Sequence, residues 1–218
     1  MSLWLRALMS LVAMAAYLAL AVIGWGGIGP FFASPARTAL VVVSLGVAFY
    51  AFAAGGNVNP GVREDRSNRW VLVVFTVVGL LLGIIPAWTD RIGFWVIDGD
   101  VCRWIGVSLF AFGCWLRIWP VYVLGNRFSG LVAIQEGHTL VTTGVYSIVR
   151  HPSYLGLIIS TIGWSLAFRS IAGLILVAFM LVPLAGRMNA EENLLANEFG
   201  AEYDAYRART SRMLPHIY

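Results

Sequence analysis

Lysine is absent from this chain: all fifteen basic residues are arginine. Charge of either sign is scarce. Only 12% of the 218 residues are charged, against about 25% in a soluble domain. Hydrophobic residues make up 59%, and the mean hydropathy is +0.78. That balance excludes a soluble globular domain and makes the chain an integral membrane protein. Its length holds roughly five or six spans of about 20 residues and little else. The arginines are dispersed rather than clustered on a soluble face, which argues against a nucleic-acid partner. Cysteine is nearly missing. Cys102 and Cys114 fall in one helical segment, roughly 18 Å apart along its axis, too far for a disulfide. They read as apolar packing residues. Histidine is rare, and the spacing of His138 and His151 matches no common ligand pattern, so no metal is expected. No internal repeat supports a transporter. The glycine-rich run GWGGIG at 24–29 follows no strand and opens no soluble helix. It is a helix end or a packing seam rather than a nucleotide loop.

What is present is a series of apolar segments, at 5–28, 36–54, 70–88 and 101–124. The first reads as a retained span, because its apolar stretch exceeds the usual core of a signal peptide. The loop at 55–69 is turn-rich and charged, and the loop at 89–100 is acidic. Two more apolar arms, 152–168 and 171–188, are joined only by Arg169 and Ser170 and read as a helical hairpin. Residues 191–209 form an amphipathic helical region broken near Gly200. The expected fold is an all-α polytopic membrane bundle of about five spans plus a helical hairpin. Residues 1–100 would be N-terminal transmembrane helices. Residues 101–218 would form the catalytic region, with a cofactor pocket on the cytoplasmic side.

Orientation follows from arginine placement. With the N-terminus inside, Arg6, Arg63, Arg66, Arg69, Arg127, Arg150, Arg187, Arg207, Arg209 and Arg212 all fall inside. Arg37, Arg91 and Arg103 fall outside. Ten against three is the expected bias. The polar stretch QEGHTLVTTGVYSIVRHPSYLG at 135–156 and the charged tail therefore share the cytoplasmic face.

Four features of that half could carry chemistry. Pro152 suits the first turn of a helix, which puts Arg150 and His151 at its positive end. Either an anion binds there, or Arg150 meets lipid headgroups while His151 caps the helix. His138, Thr139, Leu140, Val141 and Tyr146 read as an extended loop, either an ordered surface segment or a wall against which a ring could lie. Arg187 and Glu191 are four apart on one helix face, in the weaker order for a simple pair. Arg187 either snorkels or helps shape a polar pocket. Arg117 lies inside a span, roughly 10 Å from its inner end. A charge at mid-span costs about 2.5–3.5 kcal/mol on insertion scales. It either snorkels or meets an anionic substrate group.

Taken together, HTLVTTGVYSIVRHPSYLG and RMNAEENLL…FGAEYDAY, with LRIW and GNRFS, resemble the isoprenylcysteine carboxyl methyltransferase family of integral membrane enzymes. The resemblance covers roughly residues 105–218. It implies S-adenosyl-L-methionine as cofactor, held without a soluble Rossmann domain. It assigns Gln135, His138, Thr139, Leu140, Val141 and Tyr146 to the adenosine side, and His151, Pro152, Ser153 and Tyr154 to the rest of the cofactor. Arg187 and Glu191 would complete the substrate site, and Arg117 would orient the reacting carboxylate. The link from Gln135 to His138 is shorter than in eukaryotic members. The terminal SRMLPHIY is similar to membrane sterol reductases that share this C-terminal plan.

The implied reaction is methyl transfer to the carboxylate of a lipid-like or prenylated substrate at the membrane. A carboxylate is already ionised and needs no general base, so catalysis is alignment in a dry pocket. Three alternatives differ in kind. A phospholipid or other small-molecule N- or S-methyltransferase would favour Glu191 as base and make Arg117 awkward. An NADPH-dependent sterol-type reductase needs more cations for the 2′-phosphate than Arg127 and Arg150 supply. A non-enzymatic membrane subunit needs no polar constellation. The arginine-only, Ala/Gly/Val-rich composition suggests a bacterial inner membrane.

Overall fold

The computed structural model describes residues 3–54, 61–125, 129–135, 137 and 139–215. Eight α-helices follow in order: α1 (Leu3–Trp25), α2 (Ile28–Phe32), α3 (Pro35–Ala54), α4 (Arg69–Ile92), α5 (Asp100–Leu124), α6 (Pro152–Ala167), α7 (Ile171–Phe199) and α8 (Ala201–Arg209). Two short strands, β1 (Arg63–Glu64) and β2 (Ala133–Ile134), pair antiparallel. The protein is an all-α membrane bundle. Among the described residues four helices are long and apolar enough to cross a membrane: α1, α4 with its leading turn, α5 and α7. About five spans plus a hairpin were expected. The remaining two expected segments are α3, 20 residues long, and α6, which at 16 residues rises only about 24 Å.

Packing follows the small residues. Helix α5 lies against α6 with Gly106 and Gly113 facing Gly163 and Gly156. A Cβ at any of the four would meet backbone of the opposite helix. Such contact lets two apolar helices approach closely without a hydrophobic driving force. Helix α1 packs on α3 and α4, and α4 on α7. Trp164 of α6 donates its indole N–H to the Leu82 carbonyl of α4 at 2.8 Å, which ties the hairpin to the N-terminal helices.

Three boundaries differ from expectation. Helix α4 runs on to Ile92 and takes Thr89 and Asp90 out of the acidic loop. It ends where Gly93 turns left-handed at φ 69. Helix α2 occupies the loop between Pro30 and Pro35. The second hairpin arm and the first half of the tail are one helix, α7, unbroken until Gly200 at φ 51.

At the end of the bundle that holds the α6–α7 turn, Asp90 is buried and accepts hydrogen bonds from Arg103 and Arg169. Arg37 lies over Trp25 at 3.7 Å and donates to the Phe31 carbonyl at 2.6 Å. Arg169 therefore joins Arg37, Arg91 and Arg103 on that side. The arginine bias becomes ten against four, which leaves its direction unchanged.

Candidate active site

At the opposite end of α5, α6 and α7 lies a cavity of about 200 Å³. Its apolar wall includes Leu72 and Phe75 of α4, Leu157 of α6, and Leu140 and Val141 from the chain before α6. Its polar groups include Arg117, Arg150, His151, Tyr154, Arg187 and Glu191. The site thus joins α4, α5, α6, α7, α8 and the α5–α6 connection.

The local sequence explains most of this. Pro152 occupies the first turn of α6, as expected, with His151 at the N-cap position. His151 does not cap the helix with its side chain. Its Nε2 lies 3.0 Å from Glu192 Oε1 instead. Arg150 Nε and Arg212 Nε donate to the same oxygen, each at 3.1 Å. Glu192 thus answers the concentration of positive charge at the start of α6, which the sequence had assigned to a bound anion or lipid headgroups. Both arginines are partly buried, and Glu192 is buried among them.

Arg187 and Glu191 do share a face of α7, but Tyr154 stands between them. Arg187 Nε donates to the Tyr154 hydroxyl, and that hydroxyl donates to Glu191 Oε2, both at 2.8 Å. Arg187 also donates to the Gly130 carbonyl at 2.5 Å. Arg117 enters from α5. Its guanidinium is exposed to the cavity and reaches the Ser153 carbonyl at a long 3.5 Å. The Ser153 hydroxyl returns a bond to the Arg117 carbonyl at 3.0 Å.

The tail closes the back of the site. The Tyr206 hydroxyl donates to the Tyr146 carbonyl at 2.8 Å. Past α8, the Ser211 carbonyl accepts from the Arg150 N–H and the Arg212 carbonyl from the His151 N–H. Burial pushes the Tyr206 hydroxyl up to about 12 and raises those of Tyr146 and Tyr203 further. All three are neutral near pH 7 and act as walls rather than bases; the hydroxyls of Tyr146 and Tyr206 donate to backbone carbonyls.

Of the residues singled out in the sequence, Leu140, Val141, Tyr146, His151, Pro152, Ser153, Tyr154, Arg117, Arg187 and Glu191 all line the cavity. Gln135 and Thr139 do not. Gln135 is buried behind the wall, with its amide against Gly61, and Thr139 is exposed. His138 lies outside the described residues. Sequence reasoning passed over Glu192 and Arg212, and it did not place Tyr203 and Tyr206 on the cavity wall. Among the described residues no group of His, Cys, Asp and Glu is placed to hold a metal ion.

A family model described as the isoprenylcysteine carboxyl methyltransferase (ICMT) family matches residues 104–197. Those residues carry α5, the cavity's central loop, α6 and nearly all of α7. Over this segment the chain is similar to that family. Protein-S-isoprenylcysteine O-methyltransferase of Saccharomyces cerevisiae is 34% identical over 120 residues, covering 54% of this chain and 50% of that protein. Its counterpart in Mus musculus is 34% identical over 115 residues, covering 51% of this chain and 41% of that protein. The chain spans about half the length of the curated relatives it matches. A solved structure of a eukaryotic intramembrane Ras methyltransferase ICMT aligns with a TM-score of 0.57 at 20% identity. It covers 95% of this chain and 77% of that one, so the shared fold extends beyond the family segment into α1–α4.

Proposed function

We propose that the protein transfers a methyl group from S-adenosyl-L-methionine to the carboxylate of an isoprenylcysteine-like, amphipathic substrate. The family requires a methyl donor; the sulfonium nucleotide is our reading of which one. The donor set suits it. Leu140, Val141 and Tyr146 offer an apolar and aromatic wall for a base, while Arg150, His151 and Glu191 offer charges for an amino-acid end.

One observation carries the choice of acceptor. Arg117 is a cation inside an apolar span, open to the cavity, and among the described residues its side chain makes a long hydrogen bond to a carbonyl. Such a group calls for an anion. Arg117 therefore holds and aims a carboxylate. Tyr154 links Arg187 to Glu191 and keeps that side of the cavity rigid. The apolar residues Leu72, Phe75 and Leu157 take the lipid part of the acceptor and exclude water. When bound, the donor would supply an electrophilic methyl to the carboxylate oxygen that Arg117 holds and would leave as a neutral thioether. Opposite charges cancel and no proton moves, so no base is needed. A basic amine acceptor, by contrast, would set a cation beside Arg117.

The arginine distribution supports a cytosolic position for the cavity, and the composition supports a bacterial inner membrane. Domain roles follow the same reading: residues 101–218 carry the chemistry, and the N-terminal helices complete the bundle. The test is calorimetric titration of the purified protein with S-adenosylhomocysteine and, separately, with NADPH. Binding of the first and none of the second is expected. The reverse would establish the reductase reading instead.

A further inference from the structure

The cavity wall at 130–134 leans on a loop from the other half of the chain. Strand β2 pairs with β1, which comes from the α3–α4 connection. The Val62 N–H donates to the Ile134 carbonyl and the Asp65 N–H to the Val132 carbonyl, both at 2.9 Å. Val132, Ala133 and Ile134 all line the cavity. Gly61 of this loop has φ +62 and is pressed against the wall. A Cβ there would overlap the Ile134 carbonyl and lie 2.8 Å from Gln135 Nε2. The loop is anchored on its far side. Arg63 pairs with Glu198 of α7 at 3.5 Å, and Arg69 grips Glu64 with two bonds of 2.7 and 2.8 Å. From Arg69 the chain enters α4, which brings Leu72 and Phe75 to the cavity. Residues 61–75 all lie outside the segment that the family model matches.

We infer that residues 61–69, ahead of and at the start of α4, are a clasp on the cofactor wall, with Gly61 as the positioning residue. The inference rests on the proposed methyl-donor site. Alanine at Gly61 is opposed twice, by a left-handed backbone and by the Ile134 carbonyl in the space of its Cβ. Relief comes from moving the wall outward. That shifts Gln135 and the approach to Leu140 and Val141, and it disturbs the Gly130 carbonyl that Arg187 holds.

The test compares S-adenosylhomocysteine affinity and donor kinetics in four full-length proteins. Gly61→Ala is expected to weaken binding and raise donor KM by about tenfold or more, with kcat at saturating donor within about threefold. A merely destabilised protein would lose kcat through its active fraction and keep its KM. Val62→Pro removes the N–H that bonds Ile134 and is expected to weaken binding by about three- to tenfold. Gly79→Ala, in α4 with open space at its Cβ, is expected to bind like the parent. Parent-like affinity in both Gly61→Ala and Val62→Pro overturns the clasp. Should Gly61→Ala fail to fold, Val62→Pro alone decides. Loss of binding in the parent protein itself would overturn the methyl-donor reading, and the clasp with it.

Discussion

The Arg117 guanidinium meets one carbonyl at 3.5 Å, whereas Arg187 and Arg150 are each held by shorter bonds. In the proposed reading, that contrast sets Arg117 apart as the ligand-facing cation. Arg117→Ala is therefore expected to leave S-adenosylhomocysteine affinity within about threefold while methyl transfer falls by about 100-fold or more, the scale of losing a charge-assisted contact to the reacting group. Parallel measurement of both quantities checks it, and equal loss of both would make Arg117 structural. Glu192 works differently. Its one oxygen serves Arg150, His151 and Arg212, so Glu192→Ala removes the carboxylate shared by two half-buried guanidinium groups, which keep their bonds to Thr210 and Asn189. A loss on the order of 3 kcal/mol is expected, read as a lower melting temperature. Arg212→Ala should cost less, since Glu192 then keeps two partners. Much of the site was legible from residues close together in sequence, from Leu140 to Tyr154. Glu192 was not, because the rule that pairs residues four apart on a helix selects Glu191 as the partner of Arg187. Neighbouring helical residues point about 100° apart. Glu191 turns to Tyr154, and Glu192 turns to His151. Nor does spacing along the chain show a tyrosine inserted between Arg187 and Glu191.

Helix α8 and the strap after it are held to the α6 entrance by tyrosines and backbone bonds rather than by an apolar stripe. Tyr203 and Tyr206 are buried against one another with ring centroids 6.0 Å apart, and Tyr206 also bonds Tyr146. Burial raises all three hydroxyls above the ordinary tyrosine value of about 10. The native state thus holds its phenolic protons more tightly than the unfolded chain. The contribution is fully present below about pH 10 and is lost as pH rises through the folded value, which for Tyr206 is about 12. Thermal melts should be flat across neutral pH on account of these groups and fall above about pH 10, with α8 the first element to lose protease resistance. Hydropathy marked every long apolar helix at this scale. It failed at the α7 boundary, because polarity rises at Arg187 while nothing breaks the helix before Gly200. The β1–β2 pair left no pattern to read. Two residues per strand show no alternation, and the partners lie some seventy residues apart.

In the whole molecule, the two ends of the bundle divide the work. One end buries Asp90 between Arg103 and Arg169 and fixes the hairpin turn. The other gathers cationic, acidic and phenolic side chains around a cavity with an apolar floor. The glycine seam of α5 and α6 joins the ends and sets Arg117 beside Ser153. The N-terminal helices share in the site, through Leu72, Phe75 and the loop that grips the 130–134 wall. The central claim is that a carboxylate lies at Arg117 and becomes a methyl ester. Its most direct test is incubation of the purified protein with methyl-labelled S-adenosyl-L-methionine and an N-acetylated prenylcysteine, followed by mild base. Label released as methanol is expected, with none when the prenylcysteine carboxylate is replaced by an amide. Label that stays on the product through base, or incorporation that ignores the amide replacement, would contradict a carboxylate acceptor.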